Sequence, residues 1–203
     1  SFPTRRSSDL KSRKSVLSPT KFGIHFTQGN ERSFLFNDPD YFYRTNTLKF
    51  QFYYPLTQWR KLDISLIIQP QIQFIQHQLY NEQFVLPEEE NYLDKRAQYT
   101  KLKSLSITAV EFTIELKKQV VKNSALFFQL GVGLAIIDTA TERLKNGFTF
   151  IENVTFGLEQ TINNQYSFRI FTGVGHVSNL NFQLPNAGYN ILNTGFSFQY
   201  TLK

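Results

Sequence analysis

Residues 125–136 read ALFFQLGVGLAI, and this stretch decides the fold class. Every even-numbered position is apolar, whereas most odd-numbered positions are small or polar. Because successive side chains of a β-strand point to opposite faces, this period of two predicts a strand with one apolar face. The apolar run is shorter than the roughly 18 residues of a membrane-spanning helix, and Gln129, Gly131 and Gly133 interrupt it.

The same alternation recurs along the chain from Lys21 onward. It predicts eight strands, at about residues 22–28, 46–55, 62–79, 104–118, 124–137, 147–159, 165–177 and 190–202. Most of them reach the roughly 9–11 residues that a tilted strand needs to cross a bilayer. We therefore predict an all-β fold, an eight-stranded antiparallel up-and-down transmembrane β-barrel. A soluble lipocalin-like barrel or a β-sandwich is the alternative.

The connections between the predicted strands alternate in length. Long ones lie near 29–45, 80–103, 138–146 and 178–189, and short ones near 56–61, 119–123 and 160–164. Outer-membrane barrels have long loops at the cell surface and short periplasmic turns. Polar side chains fill the interior of a barrel this narrow, and the candidates are Gln69, Gln71, Gln73, Gln129 and Arg169. Tyrosines near strand ends are typical of interfacial girdles: Tyr41, Tyr43, Tyr54, Tyr80, Tyr99 and Tyr200.

Composition supports a barrel and excludes other classes. Aromatic residues make up 16% of the 203 residues and charged residues 19%, the latter below the roughly 25% of soluble domains. The net charge of +6 is misleading, since residues 1–21 hold six basic groups and one acidic group, which leaves 16 basic and 15 acidic groups in the rest. A nucleic-acid partner is therefore not expected. Cysteine is absent, which rules out disulfides and thiol chemistry.

The first ten residues, SFPTRRSSDL, resemble a translated sequencing adapter. We expect residues 1–20 to be a non-native adapter-like segment followed by a disordered leader, and residues 21–203 to form a single barrel domain. A signal peptide is expected to have been lost from this fragment. The acidic run Glu88–Glu90 lies in the longest predicted loop and is interpreted as solvated rather than as a cation site.

A possible catalytic pair lies at the end of the seventh predicted strand. His176 and Ser178 are two residues apart, so their side chains share a face. Counting by twos from Phe168 puts both on the outward, apolar face, where a polar or ionisable group calls for a functional explanation. A serine hydroxyl becomes a nucleophile when an adjacent base takes its proton. The strand runs outward, so the pair would lie beside the outer leaflet.

The stretch His176-Val177-Ser178-Asn179, followed by Pro185-Asn186-Ala187-Gly188, resembles the signature of the lipid A 3-O-deacylases, the PagL-like outer-membrane acyloxyacyl hydrolases. The resemblance implies that Ser178 is the nucleophile and His176 the general base. The family's third member is a glutamate two residues after the glycine, and here that position is Asn190. A carboxylate orients and charge-stabilises an imidazolium, whereas a neutral amide only orients it.

The resulting hypothesis is an outer-membrane serine esterase that removes an ester-linked acyl chain from lipid A of lipopolysaccharide, without a metal or other cofactor. Acyl transfer also requires oxyanion donors, and the candidates are Asn179, Leu180 and Asn181. The expected partners are lipopolysaccharide and the outer membrane, and a homodimer stays open. The alternative is a non-catalytic structural or adhesive barrel, which Asn190 in place of the acid favours.

Overall fold

The computed structural model describes residues 18–202, and eight antiparallel strands form a closed barrel within them. The strands are β1 Lys21–Asn30, β2 Tyr41–Trp59, β3 Leu62–Leu79, β4 Lys103–Val121, β5 Ser124–Ile137, β6 Gly147–Thr161, β7 Tyr166–Ser178 and β8 Tyr189–Thr201. The predicted fold class is confirmed. Most of the predicted leader, residues 1–17, lies outside the described residues.

Each strand pairs with the next one along the chain, and β8 closes the ring by pairing with β1. The closing register runs from Lys21 opposite Thr201 to Asn30 opposite Leu192. Closure leaves no strand edge with unpaired backbone groups, which is the condition for a sheet to stand in lipid. The long connections lie at one end of the barrel, here called the long-loop end, and the short ones at the other, the short-turn end.

The pleat of the strands separates an apolar outer wall from a polar interior. In β2, Lys49 and Gln51 are buried inside, whereas Phe50 is half exposed on the outside. The predicted interior residues are all confirmed as buried, namely Gln69, Gln71, Gln73, Gln129 and Arg169. The outer wall carries exposed Ile, Leu, Val and Phe side chains on every strand.

Ion pairs fill the part of the interior toward the short-turn end. Arg169 is 1% exposed and pairs with Glu115 at 2.5 Å and with Glu159. Lys49 Nζ lies 2.6 Å from Glu111 Oε2. In a space too small for bulk water, each buried charge is compensated by an opposite charge.

A mainly apolar cluster fills the interior at the long-loop end. Tyr41 and Tyr43 belong to it, so their prediction as girdle residues was wrong. They occupy odd positions of β2, the positions that point inward. Tyr43 stacks on His77 and on Tyr189, each at 4.3 Å between ring centroids. The 138–146 connection reaches into this cluster through Leu144, which is fully buried.

The strand β2 is longer than the alternation predicts, since it runs from Tyr41 to Trp59 instead of from about residue 46 to 55. The longest loop also contains regular structure, a 3-10 turn at Glu82–Phe84 and the helix α1 at Tyr92–Tyr99. In that loop Glu89 pairs with Lys95 at 3.0 Å. Within residues 18–202, no helix is long and apolar enough to cross a membrane.

Candidate active site

The predicted site residues meet on the outer wall at the long-loop end, where β7 ends and β8 begins. His176 of β7 is directly opposite Asn190 of β8 in the sheet register. His176 Nδ1 lies 2.8 Å from Asn190 Oδ1. Because the amide oxygen only accepts hydrogen bonds, this contact requires the proton on Nδ1, and in the neutral imidazole the lone pair is then on Nε2. The imidazole is therefore oriented and its Nε2 is in the form that a general base needs.

Ser178 is the last residue of β7 and is 7% exposed. Its carbonyl oxygen accepts a hydrogen bond from Thr149 Oγ1 at 2.8 Å, which fixes the end of the strand to β6. Among residues 18–202, no side chain forms a hydrogen bond with Ser178 Oγ, His176 included. His176 therefore forms a hydrogen bond with Asn190 but not with the neighbouring Ser178. Catalytic hydrogen bonds are often long before substrate binds.

The backbone conformation at Gly188 explains why the Pro-Asn-x-Gly segment needs a glycine next to the site. It has a φ of 63°, which favours glycine. A Cβ added there would lie 2.5 Å from the Val177 carbonyl oxygen and 3.2 Å from His176 Cε1. The same atom would be 3.4 Å from Ser178 Cβ. Only a residue without a side chain allows the backbone to pass this close to the imidazole and the serine.

The 138–146 connection supports this turn from the inner side. The Arg143 carbonyl accepts the Ala187 N–H at 2.8 Å and the Gly188 N–H at 3.4 Å. Arg143 Nη1 in turn pairs with Glu31 at 2.7 Å. The turn is therefore anchored to a loop that is itself held in the barrel, which sequence reasoning missed because the contact is non-local.

The oxyanion candidates separate into two groups. The side-chain amide of Asn179 donates to the carbonyls of Gln183, at 2.7 Å, and Pro185, at 3.4 Å. Its backbone N–H donates to Asn186 Oδ1 at 2.7 Å. Asn179 is thus occupied within the loop. Leu180 and Asn181 have φ values of 51° and 62°, and within the described chain their N–H groups form no hydrogen bond. These two N–H groups remain available as donors.

Comparison with known proteins confirms the predicted family. Residues 36–199 match the lipid A 3-O-deacylase (PagL) family. The chain belongs to the PagL family. The crystal structure of the outer membrane enzyme PagL superposes with a TM-score of 0.57 at 12% sequence identity, covering 89% of this chain and 99% of that chain. This likeness establishes a shared fold.

A second solved structure, Neisserial surface protein A (NspA), gives a TM-score of 0.38 at 8% identity and covers 90% of this chain and 95% of that chain. No curated protein sequence gives a significant match to the chain. Membership of the PagL family therefore rests on the family match, which spans most of the barrel and both halves of the site.

In this PagL-family chain, a shallow groove of about 540 Å³ leads away from the site along the outer wall. His176 and Asn190 line one end of it, together with Phe36 from the first long loop. The rest of its lining is mainly apolar and includes Phe112, Ile114, Leu130, Val132, Val154 and Val174. A groove of this shape and chemistry suits a hydrocarbon chain.

Glu152 also lines this groove, and our sequence reasoning missed it. It lies on β6 directly opposite His176 and is exposed on the outer wall. Of the outward positions on the eight described strands, this is the only one with a carboxylate. The signal was available, because Glu152 interrupts the apolar series Phe148, Phe150, Val154 and Phe156. The PagL-family resemblance did not point to this position.

Proposed function

We propose that this protein is an outer-membrane serine esterase that releases an ester-linked acyl chain from lipid A. His176 Nε2 takes the proton of the Ser178 hydroxyl while Ser178 Oγ attacks the ester carbonyl. The carbon–oxygen bond to the sugar breaks, and His176 returns the proton to the leaving alkoxide. Water, activated by the same imidazole, then hydrolyses the acyl-serine and releases the fatty acid.

The hydrogen bond between His176 Nδ1 and Asn190 Oδ1 is the observation that carries this proposal. On a lipid-facing wall, polar and ionisable groups are costly and call for a functional role. Here the bond orients an imidazole two residues from a serine, within a family of deacylases. During attack, the N–H groups of Leu180 and Asn181 are the donors for the oxyanion.

The surroundings of the pair fit a substrate that is a membrane lipid. In outer-membrane barrels the long loops face the cell exterior, so the pair lies at the level of the outer leaflet. The groove offers an apolar path for the acyl chain. Leu180, Phe182 and Leu184 also project from the loop beside Ser178, and each is more than half exposed. Their apolar surface is compatible with contact to lipid.

A non-catalytic barrel is the second candidate, and two observations favour it. Asn190 stands where the family resemblance implies a glutamate, and Ser178 Oγ forms no hydrogen bond with His176 among the described residues. A structural or adhesive barrel would need neither contact. The two functions differ in one property, since only the esterase changes lipid A.

The test is mass spectrometry of lipid A from cells that express the barrel with an N-terminal secretion signal. We expect loss of one ester-linked acyl chain with the unaltered protein and no change with Ser178→Ala. Ser104→Ala serves as the matched control, because Ser104 is exposed on β4 away from the site. If lipid A is unchanged although the barrel is folded in the outer membrane, the esterase proposal is wrong and the non-catalytic barrel gains.

A further inference from the structure

We propose that Glu152 supplies the negative charge that supports His176, taking the place of the acid that is missing at position 190. This inference rests on the proposed esterase function. Glu152 and His176 are direct partners in the pairing of β6 and β7. Directly opposite residues on one face of a sheet have Cβ atoms about 4.5–5.5 Å apart, close enough for their charges to interact.

The position of Glu152 on the wall is difficult to explain structurally. An ionised side chain on the lipid face of a barrel is destabilising, less so for Glu than for Arg or Lys. The other strand glutamates, Glu111, Glu115 and Glu159, all point inward and are paired there. Glu152 alone faces outward and has no ion-pair or hydrogen-bond partner among residues 18–202. The cost of this placement implies a compensating role in the function.

His176 has a different neighbour on each adjacent strand, and the two neighbours have different roles. Asn190 on β8 binds Nδ1 and fixes the tautomer, as a neutral amide can. Glu152 on β6 supplies the charge that a neutral amide lacks and stabilises the imidazolium formed when Ser178 is deprotonated. Such an interaction is strong beside hydrocarbon, where the dielectric constant is low. Of the residues that line the groove, Glu152 and His176 are the two that titrate.

Glu152 is thus a positioning residue that acts through His176. The family resemblance implies one glutamate at position 190 on β8 for both tasks. Here the two tasks are divided between strands on either side of β7. A direct consequence is that a carboxylate restored at position 190 makes Glu152 dispensable.

The test measures fatty-acid release from lipid A in detergent micelles, over a range of pH, for Glu152→Gln, Asn190→Glu and the double variant. For Glu152→Gln we expect kcat to fall about tenfold, the equivalent of one pKa unit of imidazolium stabilisation. The acidic limb of the pH–rate profile should move about one unit toward lower pH. The double variant should recover most of the lost activity, and Glu152→Asp should retain more activity than Glu152→Gln.

Glu90→Gln, in the exposed loop, is the matched control and should behave like the unaltered protein. Misfolding does not explain a loss in Glu152→Gln, because removing a charge from the lipid face favours the folded barrel. If Glu152→Gln keeps both its rate and its pH profile while Ser178→Ala is inactive, the inference about Glu152 is wrong and the esterase proposal stands.

A second measurement does not depend on turnover. An NMR titration of the His176 ring in micelles should show a midpoint about one pH unit lower in Glu152→Gln than in the unaltered protein. An unchanged midpoint overturns the inference, even if the protein releases no fatty acid. Lack of fatty-acid release by every variant, with a shifted midpoint, would refute the esterase proposal and leave the Glu152–His176 coupling supported.

Discussion

The inner and outer walls of this barrel use the same polar residue types in different ways. Glu152 and Asn153 are neighbours in the chain and lie on opposite sides of β6. Inside, Asn153 donates to Glu111 at 3.0 Å, and Glu111 also pairs with Lys49. Outside, Glu152 has His176 opposite it and has no hydrogen bond within the described residues. These interior charged groups are paired, whereas the polar groups of the outer cluster remain partly free.

The difference has a physical origin. In the narrow interior there is little space for water, so a buried charge without a partner costs free energy and the charged groups are paired. On the outer wall the folded state gains nothing from a polar group, because lipid solvates apolar side chains better. Polar groups on the inside therefore serve stability. Those on the outside at the site call for an explanation in terms of chemistry, and the following substitutions test that distinction.

Arg169→Met should have the largest effect on stability. It leaves the buried carboxylates of Glu115 and Glu159 without their shared cation. Breaking such a buried pair costs about 3–5 kcal/mol in the free energy of unfolding. Urea unfolding in detergent, followed by the fluorescence of Trp59, the single tryptophan, measures it. Adding Glu115→Gln and Glu159→Gln should restore most of the loss, and a loss below about 1 kcal/mol for Arg169→Met alone would contradict the assigned role.

Ile170→Arg places an arginine on the outer wall, one position along β7 from the buried Arg169. Ile170 is 52% exposed on the outer wall, next in the chain to the buried Arg169. An arginine on the lipid face near the middle of the bilayer should lower the free energy of unfolding by about 2–4 kcal/mol. Refolding into lipid vesicles over a urea gradient measures this loss. Ile170→Leu is the control and should be close to neutral, and equal stability of the arginine and leucine variants would be inconsistent with a lipid-facing wall.

Lys95→Ala should have the smallest effect, because the Lys95–Glu89 pair is exposed in a long loop. Although burial acts in the opposite direction, hydrogen bonds from Lys95 and from the Leu86 N–H hold the pKa of Glu89 below its usual value. A depressed folded pKa contributes stability above the unfolded value and loses it as the pH falls through the folded value.

Since water screens this pair, the loss at neutral pH should stay below about 1 kcal/mol and vanish in acid. Urea unfolding at neutral and acidic pH measures it. A loss as large as that of Arg169→Met would contradict the expectation that an exposed ion pair contributes much less to stability than a buried one.

Several features of the fold follow from the sequence because they depend on local periodicity. The alternation in β5 and the glutamines of β3 predict the two walls correctly. The prediction of an interfacial girdle was wrong for Tyr41 and Tyr43, because a position near a strand end does not show which wall a residue faces. Counting by twos from Lys49 would have put both inside.

The site was less predictable than the fold. The motif and parity locate His176, Ser178 and Asn190 at the junction of β7 and β8, but they do not give the contacts of Asn179, whose donors turn inward to the loop. They also give no hint that Arg143 holds the Gly188 turn. These contacts join segments far apart in the chain, and no local pattern records them.

The sequence by itself determined that the chain forms strands with one apolar face, since a side-chain period of two needs no knowledge of neighbours. It also determined the order His176, Ser178 and Gly188 along the chain. Only the tertiary structure decided which residue of β6 faces His176, because register is set by pairing across strands. A shift of one residue would put Asn153 or Ile151 opposite the imidazole, and with the pleat reversed Glu152 would point into the barrel.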